Sequence, residues 1–220
     1  RFVFVPETIG AIAYAARNEE KLKDIDFGLV VTTVGGPGKL GMKASWDDKH
    51  FLNQYTKDVL GGCEDGFLYY PFDIHGSDER QYSSPGFRIN TVSITKDKYY
   101  EYPYYHTSLD NLDFVSAKSI EESLSAHLAL IDKIESAKFY INTNPHGEAM
   151  LSKRGLYPDT GGAFMPGTEG VKEIDAILWL LWHCDGCKPL DQIADFTGVP
   201  LSALEIIATK LEAGGLLKEL

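Results

Sequence analysis

Apolar positions along the first 140 residues alternate between two spacings. They are nearly continuous in RFVFV at 1–5, FGLVVTTV at 27–34 and INTVSIT at 89–95, short runs that predict buried strands. Between them, IGAIAYAARNEEKL at 9–22 and DDKHFLNQYTKDVL at 47–60 repeat apolar residues every three or four positions, as a helix with one buried face requires. A longer helical pattern runs from Ser116 to Lys138. Its serine stands where a side-chain oxygen can accept an orphan backbone N–H, and Glu121 and Glu122 follow near the positive end of the helix dipole. Ile120, Leu124, Leu128, Ile131 and Ile134 share one stripe of that helix, which predicts the face turned to the core. Strands alternating with helices make this region α/β.

The periodicity fades between 141 and 169, where INTNPHGEAMLSKRGLYPDTGGAFMPGTEG is rich in Gly, Pro, Asn and Thr and reads as a linker or extended arm. From Gly170 onward the pattern is helical throughout. VKEIDAILWLLWHC, LDQIADFTG and PLSALEIIATKLEAGG are amphipathic, and the turn TGVP joins the last two into a helix-turn-helix. The expected organisation is an α/β domain over 1–140, the linker over 141–169 and a small helical domain over 170–220.

Composition narrows the function classes. A chain of 220 residues, 44% hydrophobic and 24% charged, can bury a full core and a second small one. AILWLLWHC at 176–184 is the most apolar stretch, far short of the roughly 18 to 20 residues of a membrane span. A net charge of -11 repels phosphate backbones, which leaves small substrates or proteins as partners. From Pro166 to Leu220 nine acids face four lysines and no arginine, so the helix-turn-helix lacks the basic footprint of a DNA reader and reads as a packing or protein-interaction module, including contacts with a second copy. Three cysteines do not make a secreted disulfide framework, and the cytoplasm is the expected compartment. Cys184 and Cys187 have C-x-x-C spacing, but no second pair completes a structural zinc site, so HCDGC reads as a turn between helices. VGGPGKLG lacks the phosphate-loop spacing. Arg1 opens into RFVFV with no Met and no signal-peptide pattern, so a fragment of a longer parent is expected.

Three loops carry candidate chemistry. Glu7 ends the first expected strand, just before a helix; an acid there can serve a ligand at the sheet edge or only favour the helix start. HGSDERQYSSPGF at 75–87 presents Asp78 and Glu79, fit to orient a metal ligand or to contact a substrate amine, though such an Asp also makes Asx-turns. In YYHTSLDNLD, Thr107 and Asp110 follow His106 and could orient its imidazole. The aromatic run before it, with Tyr104 and Tyr105, could line a pocket for an apolar side chain or form an edge strand.

Taken in order, these segments resemble the zinc aminopeptidases of the bacterial leucyl aminopeptidase and glutaminyl cyclase type over residues 1 to about 138. VPETIGAIAY looks like that family's E-E-x-G-L-x-G-S, SDERQYSSPGF is similar to its S-D-H-x-x-F-x-x-x-G-x-P, and YHTSLDNLD looks like its H-T-x-x-D-T. VPETIG, GSDERQY, YYHTSLDNLDF and the segment from Lys153 to Pro158 resemble further a prokaryotic branch that ends in a winged-helix domain and is linked by name to polysaccharide biosynthesis.

The resemblance implies a mixed central sheet flanked by helices, followed by a winged-helix-like domain. It puts Glu7 on the general base, His106 on a zinc-ligand histidine and Asp78 on the acid of the S-D-H segment in a supporting catalytic role; Glu79, Tyr104 and Tyr105, from the loop and the aromatic run, are the candidates for substrate contact. Two departures stand beside these matches. Thr8 replaces the second Glu of the pair, a zinc ligand in that family, and the Asp of the next strand falls near Thr32. A catalytic zinc takes three protein ligands and a water, so the expectation is one zinc ion completed by donors upstream of Arg1. The expected activity is a zinc-dependent aminopeptidase or related hydrolase acting on a peptide or small amide. The alternative is a peptidase-like scaffold that has lost its ligands and docks proteins through the winged helix.

Overall fold

The computed structural model describes residues 1–157, 164–165 and 170–220. They fall into two compact units, Arg1–Glu135 and Ser136–Leu220.

The first unit contains α1 (Ile9–Arg17), α2 (Glu19–Leu22), β1 (Phe27–Val31), β2 (Gly41–Lys43), α3 (Phe51–Gly61), β3 (Leu68–Tyr70), α4 (Glu79–Tyr82), β4 (Asn90–Thr95) and α5 (Ala117–Glu135). Its sheet has the order β1-β4-β2-β3, with β4 parallel to β1 and antiparallel to β2, and β3 parallel to β2. This is the mixed sheet flanked by helices that was expected. Every residue of β4 is buried, and α3 and α5 pack on each other and against it. Met42, Phe51, Leu52, Val92, Ile94 and Leu130 are buried in the first unit, each contributing about 1.5–3 kcal/mol of apolar burial.

Two readings of the apolar pattern are corrected here. RFVFV forms no strand: Phe2 and Phe4 are 87% and 94% exposed, and the segment faces β1 across a groove of about 580 Å³. In α5, Ile120, Leu124 and Leu128 of the predicted stripe stay half exposed and Ile131 and Ile134 are only partly buried, while Ser119, Ser123, Ala126, His127 and Leu130 are buried. Small side chains let the helix approach the loop after β1, where Ser123 Oγ donates to the Val34 carbonyl at 2.9 Å and the Ser116 N–H to that of Gly35 at 2.9 Å. The start of α5 is as expected, since Ser116 Oγ accepts the Ser119 N–H at 3.1 Å. With three residues each, β2 and β3 are too short to show a period.

In the second unit β5 (Phe139–Asn142) lies between β6 (Asp185–Pro189) and β7 (Leu217–Glu219), antiparallel to both. The helices α6 (Glu173–His183), α7 (Leu190–Thr197) and α8 (Leu201–Ala213) complete it. Ile177, Leu180, Leu190, Ile193, Leu204 and Ile207 form its core. The region after Gly170 is therefore not wholly helical, and HCDGC leads into β6 instead of making a plain turn. Both strands are defined by pairing with β5, which lies far away in sequence and belongs to this unit. Of the arm read over 141–169, residues 158–163 and 166–169, including Pro158, lie outside the described residues. Among the described residues, no helix is long and apolar enough to cross a membrane.

Candidate functional site

Glu7 opens α1 through a strained turn. The Ile9 N–H donates to the Glu7 carbonyl at 2.7 Å, and Thr8 between them has φ 61 and ψ −70, a γ-turn of the rare, strained hand. For a β-branched residue this backbone is an outlier. Next to it, a Cβ on Gly10 would stand 2.6 Å from Pro6 Cδ, so the turn folds back this tightly only over glycine. The Thr8 N–H donates to Asp78 Oδ1 at 2.7 Å, which ties the Glu7 turn to the loop before α4.

Burial raises the Asp78 carboxyl above its ordinary value, and the nearby charges of Glu7 and Glu79 add to this against the Thr8 hydrogen bond and Arg80. Tyr105 is raised first by burial, then by Tyr100 and by the charge of Glu7. The Tyr105 ring in turn stacks on His106 with centroids 4.0 Å apart. The charge of Glu7 thus acts on both Asp78 and Tyr105, and the side chains of Glu7 and His106 are exposed.

His106 has φ 58, left-handed backbone that is uncommon outside glycine. Thr107 and Asp110 were expected to orient its imidazole and are engaged elsewhere. Thr107 Oγ1 donates to the Tyr104 carbonyl at 2.8 Å and accepts from the Leu109 N–H at 3.2 Å, while Asp110 accepts the Tyr102 hydroxyl at 2.7 Å. What holds the imidazole is the Tyr105 ring. The run Tyr99–Tyr105 forms turns and no edge strand.

Glu79, expected to contact a substrate, points into the protein. It is fully buried, and its Oε1 is 3.1 Å from Lys43 Nζ. In the sequence nothing separates it from Asp78; the difference is that α4 turns its first residue inward. Lys43 escaped the sequence reading, because a lysine in a three-residue strand gives no sign of burial. Tyr104 packs edge-on against Phe114 at 5.3 Å. A cavity of about 350 Å³ beside this segment is lined by Thr33, Asp97, Tyr102, Asp110, Phe114 and Ile120 among others, so Tyr102 lines that space and not Tyr104 or Tyr105. Tyr102 connects the two places, with its ring 5.5 Å from that of Tyr105.

The donors present do not by themselves fit a zinc ion. Among the described residues, no three His, Cys, Asp or Glu side chains gather at one point. Thr8 and Thr32 occupy the expected acidic positions, and the backbone of Thr33, at φ 48, receives the Lys96 N–H at 2.9 Å. Cys184 is buried in the second unit's core, with its thiol pushed up to about 12 by burial and then by Asp185, whereas Cys187 is exposed.

A family profile described as a domain of unknown function, DUF4910, matches residues 1–137, and one described as winged helix-turn-helix matches residues 138–219. Over 218 residues the chain is 36% identical to a Clostridium acetobutylicum protein provisionally named a polysaccharide biosynthesis protein with an aminopeptidase-like domain, a match covering 99% of this chain and 49% of that protein. A crystal structure from Clostridium acetobutylicum, provisionally named a peptidase, is similar with a TM-score of 0.62 at 33% identity, over 98% of this chain and 47% of that one. The chain spans about half the length of these relatives.

Proposed function

This chain belongs to the DUF4910 family, and on that footing we propose that it supplies part of the active site of a peptide or small-amide hydrolase. Glu7 is the general base: its exposed carboxylate takes a proton from the attacking water and returns it to the leaving amine. Asp78 positions that carboxylate through Thr8. Tyr105 and His106 form the facing side of the site, and the cavity past Tyr102 is placed to receive an apolar side chain of the substrate. Zinc belongs to this reading as a cofactor of the whole protein: His106 is the donor this chain offers, and further donors would have to come from elsewhere in that protein.

The observation that carries the proposal is the strained γ-turn at Thr8, held by a carboxylate from another loop. Backbone outliers of this kind cost about 1–3 kcal/mol and collect at functional sites. Glu7→Gln in the whole protein tests it, against a panel of aminoacyl anilides and amides. Hydrolysis should fall by about 10²- to 10⁴-fold while metal content stays at the wild-type value. Full activity in the variant would remove Glu7 from the role of base.

Thr8 and Thr32 in place of acidic ligands favour a second reading, a peptidase-like scaffold without catalysis. A whole protein that binds no zinc and cleaves none of the panel supports it.

A further inference from the structure

One residue away from Asp78, several segments meet at a buried ion pair. Lys43, the last residue of β2, has its Nζ 3.1 Å from Glu79 Oε1 and 3.0 Å from Asp73 Oδ1, and it also donates to the carbonyls of Asp73 and His75. Glu79 Oε1 accepts the Tyr99 hydroxyl at 2.8 Å and the Ser77 N–H at 3.2 Å, while Oε2 is buried without a partner. The loop crosses the pair with no space to spare: a Cβ on Gly76 would stand 2.0 Å from Glu79 Oε1 and 2.7 Å from Lys43 Nζ.

Such a pair is a poor source of stability. The desolvation of two charges roughly cancels their attraction, apolar residues of the same size often serve as well, and an orphan oxygen adds cost. What the pair offers beyond an apolar contact is direction. Two paths leave Glu79. Along the backbone lies Asp78, whose oxygen holds Thr8. Through Tyr99 a row of rings follows, with Tyr99 edge-on to Tyr100 at 5.9 Å, Tyr100 at 4.9 Å from Tyr105, and Tyr105 stacked on His106 at 4.0 Å. Burial, then the charge of Glu79, raises the Tyr99 hydroxyl above its ordinary value, which keeps it a donor.

We propose that Lys43, Glu79 and Tyr99 are positioning residues, one anchor that sets the Glu7 turn and the His106 loop relative to each other; its catalytic consequence rests on the hydrolase reading, its geometry does not. Two variants test it. Tyr99→Phe keeps the ring and removes only the bond to Glu79. Lys43→Met with Glu79→Leu replaces the pair by apolar residues, and if this double variant fails to fold the first decides alone. In the full chain with labelled histidine, the His106 ring protons at one fixed pH report the stacked Tyr105 through its ring current. That upfield displacement should be lost in both variants while circular dichroism stays as in the wild type. In the whole protein, kcat should fall by about a hundredfold with KM little changed. Variants that melt lower yet keep the His106 signal in place overturn the proposal, because the anchor then holds the fold and not the site. A shifted signal in a protein inert toward every substrate upholds the anchor and removes the hydrolase reading instead.

Discussion

Asp78 holds Thr8 through a single oxygen, at 2.7 Å. Its carboxyl is raised by burial, then further by the charges of Glu7 and Glu79. A carboxyl raised in the folded state contributes stability that is present below its unfolded value and lost as pH rises through the folded one, so at neutral pH the ionised form is a burden that the Thr8 bond offsets. Asp78→Asn keeps an acceptor and removes the charge, and its melting temperature at pH 7 should match or exceed the wild type. Asp78→Ala leaves the Thr8 N–H without its partner and should cost about 1–3 kcal/mol, read by denaturant unfolding. If Asn and Ala fell equally, the bond to Thr8 would not be what the residue contributes.

Among the elements, α5 carries the clearest departure from its sequence pattern. Helical periodicity located the helix, and the serine cap located its start, but the apolar stripe was not the buried face. A helix turns inward the side that fits its neighbour, and here that side is Ser119, Ser123, Ala126, His127 and Leu130, with the Ser123 hydroxyl reaching the Val34 carbonyl. Leu130→Ala should therefore cost about 2–5 kcal/mol, whereas Leu124→Ala, on the half-exposed stripe, should stay within about 1 kcal/mol; equal costs would contradict the observed face. His127 lies on the same buried side, with its Nδ1 2.7 Å from the Ser123 carbonyl and its Nε2 unpartnered. Burial lowers its pKa below 6.5, against that backbone bond. The neutral ring is the one that fits, so its contribution is present above the unfolded value and lost as pH falls through the folded one. His127→Gln should flatten the fall in melting temperature between pH 7 and 5; an unchanged slope would count against this cause.

At the scale of the whole molecule, Arg1–Glu135 and Ser136–Leu220 each carry a core of their own. Scanning calorimetry should resolve two transitions. Leu204→Ala, at a fully buried position of α8, should destabilise one of them by about 2–5 kcal/mol and leave the other in place; a single shared shift would show that the units unfold together. In α8 the lysine, Lys210, pairs with Glu173 of α6 at 2.6 Å within this unit.

The sequence by itself determined the α/β character of the first region, the position of its main helices, the three terminal helices and the three loops that come together, because each of these follows from local periodicity, caps and short motifs. It could not separate Asp78 from Glu79, identify the buried face of α5, find β2, β3 and the strands of the second unit, or reveal that Lys43 anchors the loops. Those depend on which groups distant segments bring into contact. A three-residue strand exists only through its partners, a lysine becomes an anchor only where a buried carboxylate meets it, and a threonine takes a strained backbone only when another loop supplies the oxygen that holds it there.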